Sequence, residues 1–417
     1  MFRVAVIGGQ PHAVMAAKEL GIEVVLIHEE GKYEEEFHQY CERIIHAPIT
    51  DTAAMLAVLK PLHEERPFDR VLSVSEDGAI PTGEVVEALG LPGTRAATAR
   101  ALKDKALTRE LLDKHGLSPV RYGVVESEAQ ALEFFASIGD RIVIKPVDGV
   151  ASIQIHVATN PDDVRAAWKL LQEAGLERAI AEEYLDGPVV SVDSFSYQGR
   201  HLPIGMSEYR MNDLFVEWEV STPSRYAAPH RPRLREMTGQ LLDAVGLTDG
   251  PAHSEFVLTP AGPRVLESHN RLAGSGAPEL VRRAFGPSLS RMFLSVTLGI
   301  EELPATPPEP IGGAAVRFFT PEAGTITKIT GVDDLDAKVI RLPKGAAIPN
   351  IVPKLNELTD ADVGVVIAKS EGDTVPPLVS VAACTTGYVI ASGRDVDEAI
   401  AKCEDVNRRI QFHVEGA

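Results

Sequence analysis

Two glutamates, Glu255 and Glu267, stand in the stretch HSEFVLTPAGPRVLESHNRLAG (253–274), where two apolar-alternating segments flank a Pro-Ala-Gly turn and Arg271 follows. Antiparallel pairing centred on Ala261 sets Phe256 opposite Leu266 and Glu255 opposite Glu267, with both carboxylates on one face. Directly opposed side chains have Cβ atoms roughly 5 Å apart, and like charges there destabilise a sheet. The arrangement makes sense when a cation lies between the carboxylates or water screens them. Mg²⁺ suits the place because it takes hard oxygen ligands and is held by one or two carboxylates together with substrate phosphates; Mn²⁺ is the alternative ion. A hairpin whose solvent face merely carries two glutamates is the competing reading, so the rest of the chain must decide.

Other residues could serve the same chemistry. Lys145 ends the apolar run IVIKP and precedes the small-residue loop DGVAS, so its ammonium and the loop amides could meet a phosphate. Lys105 lies in LKDKALTREL, whose alternating charges read as a wet helix surface. Glu76 follows DRVLSVS at the carboxyl end of a strand, where ligands of open parallel sheets gather. The segment EYRMNDLFVEWEVSTPSR (208–225) offers Glu208, Arg210, Glu217 and Trp218 for a zwitterion, or is a surface loop with one anchoring aromatic. Gly274-Ser275-Gly276 offers backbone N–H groups for an oxyanion, or is a turn before the helix APELVRRAF.

These candidates need elements to position them. Residues 1–94 alternate strand and helix (RVAVIG, HAVMAAKELG, EVVLIHE, RIIHAPI, TDTAAMLAVLKPLHEE, DRVLSVS, PTGEVVEALG), which predicts a parallel α/β domain. Gly8-Gly9 lacks the third glycine and the acidic residue of a dinucleotide fingerprint and reads as a tight turn. A helix over TARALKDKALTRELLDKHG, ended by Gly116, opens a second domain over 95–302, where strands and helices mix as in an α+β fold. LPATPPEP (303–310) reads as a linker, and 311–417 is strand-rich, α+β, and closes with the amphipathic helix DVDEAIAKCEDVNRRI.

Composition narrows the function classes. The 417 residues are 44% hydrophobic and 24% charged, ordinary globular values. A formal charge of −19 opposes nucleic acid as a partner, since phosphate-backbone binding needs a basic footprint. No apolar run approaches the ~18 residues of a membrane span. The start, MFRVAVIGG, lacks signal-peptide grammar, and Cys41, Cys384 and Cys403 are widely spaced with no CxxC. A cytoplasmic protein with reduced thiols, without zinc and off the membrane, is the expectation.

The order of a lysine at 105, IVIKP at 145, AEEYLDG at 181–187, then Glu255, Glu267 and Arg271 resembles the ATP-grasp superfamily over residues 1–300. The C-terminal part, GGAAVRFFTPEAGTITKITGVDD through TTGYVIASGRDVDEAIAKC, is similar to the extra domain of its L-amino-acid ligase (dipeptide synthetase) branch. The resemblance implies an ATP-grasp fold with an N-terminal pre-grasp domain. Lys105 and Lys145 would contact the ATP phosphates, Ser152 would lie in the loop over them, and Glu182, Glu183 and Leu185 would form the adenine hinge. Glu255 and Glu267 would hold Mg²⁺, and Arg271 would stand beside the transferred phosphoryl and the reacting carboxylate. Two positions depart from the family pattern. Val189 stands where a ribose-binding Glu is usual, and His269 stands where a metal-binding Asn is usual, which suits a supporting or substrate-facing role because neutral imidazole prefers softer metals.

The implied activity is an ATP-dependent carboxylate–amine ligase working through an acyl phosphate, its small-molecule partners being amino acids and its product a dipeptide. Glu76 or Glu208 would hold or deprotonate the incoming ammonium, and Arg210, Trp218, His269, Gly274 and Ser275 would face substrate. A homodimer is compatible with this reading. The alternatives are an ATP-grasp enzyme of purine or carboxylation metabolism and a nucleotide-binding protein without catalysis.

Overall fold

Four apolar runs at the amino terminus pair in parallel: β1 (Arg3–Ile7), β2 (Glu23–His28), β3 (Arg43–His46) and β4 (Arg70–Ser73), in the order β3-β2-β1-β4. The computed structural model describes every residue except 10–11, 34, 150–152, 347, 349 and 417. Helix α1 (His12–Glu19) connects β1 to β2, α2 (Thr52–Glu65) connects β3 to β4 and α3 (Ala79–Ala88) follows β4; Asp51 caps α2 by accepting from the Ala53 and Ala54 amides. Every β1 side chain is buried, as a strand covered on both faces requires. At the carboxyl edge Gly8 takes φ +61°, and a Cβ there would stand 2.9 Å from the Ser75 Cβ. Glycine therefore lets the β4 end, which carries Glu76, close against β1.

The predicted single helix over 98–115 is two: α4 (Ala96–Lys103) and α5 (Lys105–Lys114). Asp104 breaks it by turning extended and accepting from the Ala106 and Leu107 amides as the N-cap of α5. This moves Lys105 off the helix surface and into the interior, where it is 8% exposed, a correction to its reading as a wet residue. A four-stranded antiparallel sheet follows, from β5 (Tyr122–Val125), β6 (Ile142–Pro146), β7 (His156–Ala158) and β8 (Ala179–Glu183) in the order β5-β8-β6-β7. Helices α6 (Glu128–Ile138) and α7 (Pro161–Glu173) cover it, burying Trp168 and Leu171 among Ile142, Ile144 and Ala181.

Facing this small sheet is a sheet of nine strands. It contains β9 (Val189–Tyr197), β10 (Arg200–Met211), β11 (Glu217–Thr222), β12 (Gly250–Thr259) and β13 (Gly262–His269), with α8 (Arg231–Ala244), α9 (Ala277–Phe285) and α10 (Leu289–Ser295) around them. It continues past the proline-rich segment through β14 (Gly313–Phe318), then, beyond β15 (Gly324–Thr330), through β16 (Lys338–Arg341), β17 (Val363–Ile367) and, beyond β18 (Thr374–Val375), β19 (Gly387–Gly393). The spatial order is β13-β12-β9-β10-β11-β14-β19-β17-β16, with β11 and β14 paired from Glu219↔Arg317 to Thr222↔Ala314. The last helix, α11 (Val396–Arg409), packs Ala399, Ile400 and Cys403 on β14 and β19, and the terminal strand β20 (Gln411–Glu415) pairs with β15. No helix among the described residues is long and apolar enough to cross a membrane.

Candidate active site

The β12–β13 hairpin sets Glu255 opposite Glu267, as the alternation predicts, but by another route. Thr259 pairs with Gly262, so the turn holds two residues rather than three, and Phe256 faces Val265 instead of Leu266. Leu266 is then the extra residue of a bulge between Phe256 and Glu255, which restores the register of the carboxylates. Phe256 and Val265 are buried in the core behind the sheet, whereas Leu266 and Glu267 both line a cleft between the two sheets. The bulge thus supplies an apolar contact and a carboxylate from consecutive residues. The cleft spans about 1030 Å³ with its open mouth.

Next along the same ladder, His253 pairs with His269. His269 lies 3.1 Å from Glu267 and 3.1 Å from Glu76, and Arg271 bonds the other Glu76 oxygen. Lys105 completes the row at 3.0 Å from Glu267 while donating to the Gly149 carbonyl at 2.7 Å. Arg271, Glu76, His269, Glu267 and Lys105 therefore form one chain of alternating charge from the amino-terminal sheet to the loop after β6. Burial alone would raise the Glu267 carboxyl, but Lys105 and His269 outweigh it and hold it well below the usual range. Burial is likewise overcome at Glu76, lowered by His269 and Arg271, and at His269, raised by Glu267 and Glu76 against burial and Arg271.

At the other end of the cleft Lys145, 4% exposed, meets Glu182 at 2.7 Å, and Arg109 meets the second Glu182 oxygen at 2.5 Å. Burial would raise Glu182, but Lys145 and Arg109 bring it down to about 2. The Glu182 side chain is thus occupied in holding Lys145, and Glu183 turns outward to the Arg121 amide at 2.9 Å. What the hinge offers a ligand is backbone and apolar surface: Glu183 and Tyr184 donate to Arg121 and Arg141 carbonyls, whereas the Leu185 amide donates to no backbone carbonyl among the described residues. Leu185 lines the cleft with Val143, Val257 and Leu266, which suits a flat heteroaromatic ring. Ser152 lies outside the described residues.

Of the four candidates in the 208–225 segment, Glu217 lines the cleft, beside Met211, and the other three do not. The register slips between Arg210 and Met211 so that Trp218 is the unpaired residue. Glu208, expected in catalysis, is buried away from the cleft and fully used by Arg225 at 2.5 and 2.8 Å and by the Ser224 hydroxyl at 3.0 Å. Arg210, expected at substrate, bridges Glu219 at 3.2 Å and Glu404 at 2.8 Å. Trp218 lies under Arg317, with the guanidinium 4.6 Å from the ring centre. These three side chains fasten β10 and β11 to β14 and α11 and are corrected accordingly. Gly274 and Ser275, the latter at φ +54°, form the turn into α9 just beyond Arg271.

Sequence reasoning missed a second buried row. Asp193 accepts from His253 at 2.9 Å, and His253 reaches Glu255 at 3.2 Å. Burial would lower His253, but Asp193 and Glu255 raise it to about 10, so it is an imidazolium that neutralises Glu255. Tyr209 donates to Ser191 at 2.6 Å beside it. Burial and the nearby Glu255 push Glu217 up to about 8. The His-x-Glu spacing on one strand face was the available signal, but Asp193 lies sixty residues away in sequence.

The two opposed carboxylates fit a hard divalent ion. Each carboxylate has a protein cation against it, His253 at Glu255 and Lys105 at Glu267, and a divalent ion would take the place of such a partner. Among the described residues no group of three or more His, Cys, Asp or Glu could hold an ion unaided. Two carboxylates that need further oxygens from a phosphate ligand match the habits of Mg²⁺.

Comparison with known proteins agrees with this geometry. Residues 14–93 match the family described as ATP-grasp N-terminal domain, and residues 138–279 the family described as ATP-grasp domain. An uncharacterized protein of Sinorhizobium fredii is 24% identical, over 72% of this chain and 62% of its own length, so the chain spans less than two thirds of that relative. The L-arginine-specific L-amino acid ligase of Bacillus subtilis is 22% identical, over 69% of this chain and 71% of its own. The crystal structure of L-amino acid ligase from Bacillus licheniformis superposes with a TM-score of 0.77 at 20% identity, covering 100% of this chain and 99% of that one.

Proposed function

We propose that this chain, which belongs to the ATP-grasp superfamily, is an ATP-dependent carboxylate–amine ligase that joins one amino acid to the amino group of another. The observation that carries the reading is the unbroken row from Arg271 through Glu76, His269 and Glu267 to Lys105, which leads from the carboxyl edge of the amino-terminal sheet into the cleft. A carboxylate is a poor acyl donor because displacement would expel an oxide. Transfer of the γ-phosphoryl group of ATP to it gives an acyl phosphate, from which the amine displaces phosphate. The chain's part is alignment and neutralisation. The Leu185 amide and the apolar walls orient the base, and Lys105 and Lys145 exchange their carboxylate partners for phosphate oxygens. Arg271, a planar fork that stays charged, steadies the reacting carboxylate and the tetrahedral centre. Mg²⁺, held by Glu255 and Glu267, would supply charge to the β- and γ-phosphates.

The likeness to L-amino acid ligases supports amino acids as substrates. The test is a screen of amino-acid pairs for ADP and phosphate release, with mass detection of the dipeptide. Turnover confined to purine precursors or bicarbonate would sink the proposal.

A further inference from the structure

The cleft has two polar ends and an apolar middle. At one end stand Lys105, Lys145, Glu255 and Glu267; at the other the Leu185 amide. The cleft is also lined by Val189, Met211, Phe215 and Ile153, apolar side chains available to the sugar that a nucleotide must place between its base and its phosphates. Strand register defines this middle: Val189 pairs with Val257, and one step further along the same face Ser191 pairs with Glu255. Two residues of antiparallel strand are about 6.8 Å, the reach from a sugar to its phosphates. Ser191 is fully buried and already accepts the Tyr209 hydroxyl.

The carboxylates around the middle are committed elsewhere. Glu182 is held by Lys145 and Arg109, and Glu183 points outward to Arg121. Glu217 stands opposite Met211 in the ladder, and its charged neighbours are Glu255, His253, Glu267 and Arg271, which sets it toward the carboxylate pair. A site that bonds a sugar hydroxyl through a charged group binds about 10- to 150-fold more tightly than one that does not, and rejects analogues lacking the hydroxyl. Among the described residues, the side chains of Val189, Met211, Phe215 and Ile153 carry no group that does this.

We infer that Val189, with Met211 and Phe215, makes the nucleotide site indifferent to the ribose hydroxyls, so that the chain accepts 2′-deoxy- and 3′-deoxyadenosine triphosphate about as well as ATP. The inference rests on the proposed use of ATP and deepens it by defining the nucleotide class. The experiment measures dissociation constants, and kcat/KM once substrates are found, for ATP, 2′-deoxyATP and 3′-deoxyATP with the wild-type protein. Values within about threefold of one another are expected. Val189→Glu, at the half-buried start of β9, should create a preference for ATP of about tenfold or more over both deoxy forms. Wild-type discrimination above about tenfold would overturn this inference and leave the ligase reading standing. Absence of binding for all three nucleotides would overturn both.

Discussion

Replacing Lys105 by glutamine should move metal and nucleotide affinity in opposite directions. The Lys105 ammonium is shared between Glu267 at 3.0 Å and the Gly149 carbonyl at 2.7 Å, in a site 8% exposed. At an effective dielectric of about 20, unit charges 3.0 Å apart attract by about 5.5 kcal/mol. The cost of holding both charges out of water offsets most of this and leaves about 1.5–3 kcal/mol. A divalent ion taken up without nucleotide must displace that ammonium from Glu267. Lys105→Gln should therefore tighten binding of Mn²⁺ alone by about 10- to 150-fold. The same change removes a positive contact to the phosphates and should raise the KM for ATP by about 10- to 100-fold. Mn²⁺ titration of the nucleotide-free protein by electron paramagnetic resonance, paired with ATP kinetics, reads both effects. Unchanged or weaker Mn²⁺ binding in a folded variant would refute the argument that the lysine competes with a metal for Glu267.

Three further outcomes follow from the same geometry. Because the Glu217 carboxyl is raised to about 8 in the folded chain, the unfolded chain sheds that proton first, so stability falls as pH rises from about 4.5 to about 8 and levels above. Glu217→Gln should remove this loss, gaining up to about 3 kcal/mol at pH 7 in the nucleotide-free protein and nothing near pH 4.5; a Tm gain that does not vary with pH would count against it. Arg271→Lys should lower kcat at least about 100-fold with the fold intact by circular dichroism, since a point charge cannot replace a two-pronged donor, and a mild effect would remove Arg271 from the reacting carboxylate. Glu208→Gln should act on stability, costing about 1–2 kcal/mol because the partly exposed Arg225 keeps Asp397 at 2.9 Å, while kcat per folded molecule stays within about twofold; a selective loss of kcat would restore Glu208 to catalysis.

Period-two alternation made the opposed pair Glu255 and Glu267 readable because only the total residue count between them matters. A two-residue turn plus a bulge at Leu266 gives the same count as the three-residue turn expected, so the carboxylates met even though Phe256 did not face Leu266. The same kind of slip separates the candidates of β10 and β11: Glu217 reaches the cleft with Met211, whereas Glu208, Arg210 and Trp218 do not. Both faces of those strand ends carry polar residues, so hydrophobicity does not mark the inner one. Lys105 was misread because charge alternation hid the cap: Asp104 within a helical pattern is the sign of a new helix start. The parallel order of β1 to β4 was visible in its alternation with helices. Arg109 was not legible as the second support of Glu182, since its partner is 73 residues away.

The continuity of the nine-stranded sheet limits how the cleft can open. The floor, with Glu255 and Glu267, and the carboxy-terminal strands share one ladder through β11 and β14, whereas the sheet that carries Lys145 and the hinge has no strand in common with it. A pivot at the proline-rich segment would tear main-chain bonds between Glu219–Thr222 and Ala314–Arg317. Any opening that keeps the backbone ladders whole must swing the four-stranded sheet against a stationary base. The carboxy-terminal quarter is in mechanical terms the counterweight of the jaw, bracing the floor while the opposite wall travels.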